Sequence, residues 1–244
     1  DMAKTWQITR EDQDLLAYES HQKAAAAYAR GFYADLVMPF RELSVDNILR
    51  ADTNLAKLAS LKPAFDKRSG KGTLTAGNST NLSDGASVAL LSSEQWAQDN
   101  NKEIQAYLVD AQVAAVDFVA GEGLLMAPAW AVAQLLKRNN LKLQDFDFYE
   151  IHEAFAAQVL CTLKAWESEE FCKTKLGMDG ALGSIDRSKL NVVGSSLALG
   201  HPFAATGARI IATAAKLLKE KGQGRVLISI CTAGGMGVAA IVER

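Results

Sequence analysis

Arg225-Val-Leu-Ile-Ser-Ile-Cys-Thr-Ala-Gly-Gly-Met-Gly-Val-Ala-Ala-Ile-Val242 is the stretch that decides the fold. Two apolar runs, Arg225 to Ile230 and Gly237 to Val242, flank a glycine-rich turn and read as neighbouring strands that pair through it. Working outward, Gly207 to Lys221 reads as a helix and Asn191 to Val193 as a short strand. Phe146 to Ile151 reads as a strand that runs directly into a helix from Glu153 to Trp166. Before that, Ile104 to Val116 is strand-like and Ala127 to Asn139 helical. Alternating strands and helices predict an α/β protein with helices layered on a mixed sheet.

The first hundred residues have a looser rhythm. Thr9 followed by Asp12 fits a capping box, and the alanine-rich stretch Ala24 to Ala29 favours a helix that Gly31 ends. Asn54 to Leu61 reads as a short helix halted before Pro63. Thr73 to Ala76 and Ala86 to Leu91 read as short strands, with Gly77 to Gly85 between them. There is neither an internal repeat nor a low-complexity linker.

Composition excludes several functions. Lys plus Arg (26) nearly balances Asp plus Glu (28), for a net charge of -2, whereas nucleic-acid binding rewards a basic excess. No apolar run approaches the ~20 residues needed to span a bilayer. Cys161, Cys172 and Cys231 are widely spaced, with no C-x-x-C, and with only three histidines beside them the sequence argues against a structural zinc site. The expected setting is reducing and intracellular: cytoplasmic, or the mitochondrial matrix in a eukaryote. No targeting segment is visible after Asp1-Met2-Ala3.

The chemistry concentrates late in the chain. Cys231 ends a buried strand beside a glycine-rich turn, and Gly200-His201-Pro202 places an imidazole at a loop-to-helix junction. Imidazole and thiol titrate near 6.5 and 8.5 in isolation, so either can be tuned to carry a proton near neutrality. Such a pair suits thioester chemistry. Cys161 and Cys172 read instead as small buried hydrophobes.

Four motifs, Ala76 to Gly85, His152 to Gln158, Ala198 to Gly207 and Cys231 to Gly237, stand in the order and context seen in thiolases. The sequence resembles 3-ketoacyl-CoA thiolases and acetyl-CoA acetyltransferases, above all the thiolase subunit of fatty-acid oxidation complexes. The resemblance implies a thiolase-like layered αβα fold. Within it, residues 1–72 would form a lid that helps bind CoA, 73–100 the last strands of the N-terminal domain, and 101–244 the C-terminal domain. It also implies that the N-terminal half, which in thiolases carries the nucleophilic cysteine, is absent from these residues and is supplied by the same or a separate polypeptide. The implied activity is thiolysis of 3-ketoacyl-CoA, or the reverse Claisen condensation. The alternative is a non-catalytic acyl-CoA-binding or assembly subunit. A ketoacyl synthase would pair the nucleophile with two histidines, whereas Gly-His-Pro with a second cysteine selects the thiolase branch.

On that resemblance His201 activates the nucleophile, Cys231 is the acid/base at the α carbon, and the Ala233 amide donates to the thioester oxygen. Many thiolases have Asn where this chain has His152, so His152 is expected to stabilise an oxyanion. Glu153 reads either as a helix-start carboxylate or as the orienting partner of a catalytic group. Arg50 and Phe65 match CoA-facing positions, Thr80 and Leu82 the pantetheine wall and Phe155 the same channel, and Ala76 is a further expected CoA-binding position. Lys62, Lys67, Arg68 and Lys71 read as a solvated face. CoA and acyl-CoA are expected as substrates, with no permanently bound cofactor and no metal. The expected partners are a second copy, as homodimer or homotetramer, and a hydratase/dehydrogenase subunit.

Overall fold

A computed structural model describes residues 1–244. In chain order the elements are α1 (Met2–Thr5), α2 (Arg10–Ala29), α3 (Leu55–Ala59), α4 (Glu94–Asp99), β1 (Tyr107–Ala115), α5 (Pro128–Asn139), β2 (Phe148–Ile151), α6 (Ala156–Glu167) and α7 (Glu169–Thr174). A 3-10 turn (Arg187–Lys189), α8 (Ser196–Leu199), α9 (Ala205–Lys221), β3 (Arg225–Thr232) and β4 (Met236–Glu243) complete the chain. No helix is long and apolar enough to cross a membrane.

The four strands form one mixed sheet in the order β1-β4-β3-β2. β3 and β4 pair antiparallel, Ile230 opposite Val238, while β2 runs parallel to β3 with Ile151 opposite Ser229. The alternation of side chains along a strand explains why both runs are apolar throughout. Leu227, Ala239 and Ile241 point into the large core that α5 and α6 cover, and Val226, Ile228, Ala240 and Val242 meet Ile210, Ala214 and Leu218 of α9. Helices thus cover both faces. Fully buried Trp166, Phe146, Leu135 and Leu136 belong to the larger core, each contributing roughly 1.5–3 kcal/mol by burial. The turn between β3 and β4 tolerates nothing larger than glycine at Gly235: its φ is +76°, and a Cβ there would lie 2.6 Å from the Val116 carbonyl oxygen.

Most expected elements form, with shifts of a few residues at their ends. α2 begins as its sequence dictates: Thr9 Oγ1 accepts from the Asp12 N–H at 3.1 Å, with Glu11 and Asp12 in the positive first turn. Asn54 caps α3 in the same way.

Three expected strands do not form. Thr73 to Ala76 makes one isolated bridge, Thr75 to Pro63, and Ala86 to Leu91 is extended but unpaired, with Val88 89% exposed. Both segments have strand-forming residues, but no neighbouring strand offers either a ladder, and pairing rather than propensity makes a strand. The last strands expected of the N-terminal domain are therefore extended chain here. Asn191 to Val193 fails for a different reason: Asn191 adopts φ +45°. Its side-chain amide accepts from Ile151 N–H (2.8 Å) and donates to Ile151 O (2.9 Å), finishing the edge of β2 in place of a strand.

Candidate active site

The end of β2 delivers the first imidazole. The His152 N–H still donates to Ser229 O at 2.9 Å, so the residue leaves the sheet in register with β3. Its side chain is 2% exposed, and its Nδ1 pairs with Ser196 Oγ at 2.7 Å. Its Nε2 is buried and has no hydrogen-bond partner within the chain. Burial first, then the neighbouring His201 and Arg209, push the His152 pKa down to about 3, so the ring is neutral across the physiological range.

The second imidazole arrives from the loop after α8. Gly200 precedes it at φ +83°, and a Cβ there would meet Ser83 Oγ at 2.6 Å, so only glycine lets the two segments approach. That approach is what holds the site together. Residues 78–82 cross both histidine-bearing loops: Ala156 N–H donates to Asn78 O (2.9 Å), Thr80 N–H to Ala154 O (3.0 Å) and His201 N–H to Asn81 O (3.0 Å). The two imidazole rings stand 4.4 Å apart at 46°. His201 is half-buried, pairs through Nδ1 with Thr206 Oγ1 at 2.7 Å, and has its pKa lowered, by burial first and by Arg209 second.

Cys231, near the end of β3, is buried, and burial pushes its thiol up to about 12. It therefore holds its proton at neutral pH. Cys231 and His152 line one small cavity with Ser229, Gln158, Thr162 and Pro128. Its volume, ≈ 10 Å³, is that of about a single water position. A larger open hollow of ≈ 270 Å³ lies among Lys4, Gln7, Thr9 and Thr73 and contains none of these groups.

Glu153 is neither a helix-start carboxylate nor a partner of a catalytic side chain. It is fully buried, accepts from Ser20 Oγ (2.7 Å), Asn191 Nδ2 (2.7 Å) and the Leu197 N–H (3.1 Å), and so staples α2 and the 191–197 loop to the end of β2. Burial raises its pKa, with those three donors opposing the rise.

The positions expected to hold CoA differ in exposure and in what their side chains touch. Phe65, 50% exposed, packs edge-to-face on Phe155 with centroids 5.6 Å apart. Leu82 is 70% exposed and bridges to His201. Thr80 does not offer its hydroxyl outward, because Oγ1 donates to Ser196 O at 2.7 Å; it ties loops together instead. Ala76 is exposed at the start of the crossing segment, and Ala233 lies exposed in the turn two residues beyond Cys231. The Arg50 N–H donates to His21 Nδ1 (3.2 Å), while its Nη1 folds back onto the carbonyls of Asn47 and Leu49. Cys161 and Cys172 are wholly buried in helices, with no access to this site.

Sequence reasoning missed Ser196, Thr206 and Arg209. Thr206 lay inside a motif already singled out, and Arg209 one helical turn beyond it, on the same face. The Ser195-Ser196 pair gave no local signal of a contact with His152.

An αβα-layered fold with two facing imidazoles and a buried thiol defines a thiolase-type scaffold. Residues 102–244 match the family described as thiolase, C-terminal domain, and residues 1–95 that described as thiolase, N-terminal domain; the chain belongs to the thiolase family. The 3-ketoacyl-CoA thiolase of Serratia proteamaculans (strain 568) is 46% identical over 248 residues, covering 99% of this chain and 56% of the relative. That of Enterobacter sp. (strain 638) is 45% identical with the same coverage. The crystal structure of the Bacillus anthracis acetyl-CoA acetyltransferase superposes with a TM-score of 0.81 at 37% identity, covering 99% of this chain and 58% of that one. The chain spans about half the length of the curated relatives it matches. The expected absence of an N-terminal half is thereby narrowed, because residues 1–95 themselves match that domain.

Proposed function

We propose that these residues form one side of the active site of a 3-ketoacyl-CoA thiolase, with the nucleophilic cysteine contributed by another part of the enzyme. The observation that carries the reading is the contact of the two imidazoles, 4.4 Å apart, together with a protonated thiol that shares a cavity with one of them. The names of the relatives support the substrate class.

In this reading His201 takes the proton of the nucleophilic thiol, and the thiolate attacks C3 of the 3-ketoacyl-CoA. The C2–C3 bond breaks, and the acetyl-CoA carbanion takes the proton of Cys231 Sγ, which burial has kept on the thiol. CoA then enters, returns its thiol proton to Cys231, and attacks the acyl-enzyme, releasing the nucleophile beside protonated His201. His152, neutral and buried, and the Ala233 amide supply donors for the developing oxyanions. Phe65, Phe155, Leu82 and Arg50 form the CoA-facing rim, Ala76 and Thr80 the backbone wall beneath it. CoA and acyl-CoA are substrates rather than resident cofactors. A role in fatty-acid β-oxidation, a cytoplasmic location, a homo-oligomer and a hydratase/dehydrogenase partner complete the proposal.

The test is direct. The native polypeptide containing these residues, given acetoacetyl-CoA and CoA, should produce two acetyl-CoA per turnover. Binding of acyl-CoA without acetyl-CoA formation would instead point to a non-catalytic subunit.

A further inference from the structure

Behind His152 lies a chain of polar contacts that the reaction itself does not require. Arg209 Nη2 donates to Ser196 Oγ at 2.8 Å, Nη1 reaches Ser195 Oγ at 3.3 Å, and Ser196 Oγ in turn meets His152 Nδ1 at 2.7 Å. Ser195 and Ser196 are both completely buried. We propose that Ser196 and Arg209 are positioning residues that lock His152 as the Nε2–H tautomer, so that a neutral ring aims a fixed N–H donor at the substrate oxygen.

A guanidinium only donates, so one lone pair of Ser196 Oγ is taken by Arg209. The hydroxyl has one proton of its own. If His152 Nδ1 also carried a hydrogen, it would donate to the same oxygen, and the serine proton would be left buried without an acceptor, at a cost of ~1–3 kcal/mol. The alternative satisfies the Ser196 hydroxyl and Nδ1 together: Ser196 donates to an unprotonated Nδ1, and the ring hydrogen resides on Nε2. Nε2 is the atom left buried with no partner in the chain. A donor held there awaits an acceptor that the chain does not provide. The opposite tautomer would present a lone pair to a developing oxyanion and repel it.

The supporting scaffold is specific. Leu197, the next residue, is pinned through its N–H to Glu153, and the Ser196 carbonyl accepts from Thr80. Arg209 and Thr206 lie three residues apart on α9, so one helical face holds both imidazoles, His201 through Thr206 and His152 through Ser196.

The donor role of His152 rests on the thiolase reading, whereas the tautomer does not, and the experiment separates them. In the full native polypeptide carrying 15N-labelled histidine, long-range 1H–15N spectra report which ring nitrogen of His152 is protonated, its signals assigned by their loss in H152N. The expected wild-type result is a protonated Nε2 and an unprotonated Nδ1. S196A should mix the tautomers and lower thiolysis kcat by ~10–100-fold with KM within about twofold, and S196T should restore both. A protonated Nδ1 in the wild-type protein overturns the proposal without any variant. An unchanged tautomer in S196A or R209M overturns it as well. A tautomer that shifts in S196A while kcat is untouched keeps the lock but removes His152 from the oxyanion role.

Discussion

The two histidines of the site stand in contact, yet the molecule holds them in opposite ways. His152 belongs to the deep half: 2% exposed, at the end of a parallel strand, beside Cys231 and two residues beyond a fully buried Glu150. His201 belongs to the rim: half-buried, at a glycine-preceded bend, against Phe203 at 5.3 Å and bridged to exposed Leu82. The deep ring is fixed in charge and orientation. The rim ring has access to substrate and needs only a modest push from burial to stay neutral at pH 7. A donor must not titrate and a base must, so the difference in burial supports the roles proposed for the two rings.

The largest effect should follow from breaking the rim base or the deep acid. H201N and C231A should each lower thiolysis by ~100- to 10,000-fold, the usual range for a lost acid/base group, with little change in stability for H201N. Near wild-type turnover in either variant removes that residue from the mechanism. Because the His201 pKa lies below its ordinary 6.5, the acid limb of kcat/KM against pH should fall below the normal imidazole range. An acid limb at or above 6.5 contradicts it.

Next comes the deep donor. H152A should cost ~100- to 1000-fold in kcat, the typical loss of one oxyanion donor, and H152N, which keeps an amide N–H, should lose less. Equal losses in the two variants would mean that packing rather than donation sets the effect.

How much of this contrast the sequence revealed differs between the halves. The hairpin of β3 and β4 and the helices on either face were legible, because apolar periodicity and glycine turns are local signals; His152, His201 and Cys231 stood out only as members of short motifs, and the fold brings the two rings into contact and His152 and Cys231 to one cavity. The expected strand at 191–193 failed because a left-handed Asn191 imitates a ladder with its side chain. The expected strands at 73–76 and 86–91 failed because a strand depends on a neighbour that local sequence does not specify. Ser196 and Arg209 were illegible for the same reason: they are 13 residues apart and meet only through the fold.

Glu150 sharpens the deep half by stability. It is fully buried, neither oxygen has a partner, and burial raises its pKa to about 8, with Glu153 adding to the rise and Arg209 and Lys23 opposing it. A carboxyl whose folded pKa exceeds its unfolded value costs nothing below the unfolded pKa of 4.5, and costs progressively more as pH climbs toward 8, because over that interval the unfolded chain ionises while the folded one largely keeps its proton. Gln is close to the shape of the neutral carboxyl. E150Q should therefore match wild type at pH 4 and be more stable at pH 8, by on the order of 3 kcal/mol, in denaturant titrations of the two proteins. Equal stability at both pH values would mean that Glu150 ionises freely in the fold.

The smallest effect belongs to the outer rim. Phe65 and Phe155 form an edge-to-face pair, with the Phe65 side chain half in solvent. Such a pair is worth ~0.5–1.5 kcal/mol, which as ground-state binding corresponds to ~2- to 10-fold in KM. Binding that is the same in ground state and transition state leaves kcat alone. F65A should therefore raise the KM for CoA by that factor and leave kcat intact. A drop in kcat at constant KM would put Phe65 at the reacting atoms and erase the boundary between rim and depth.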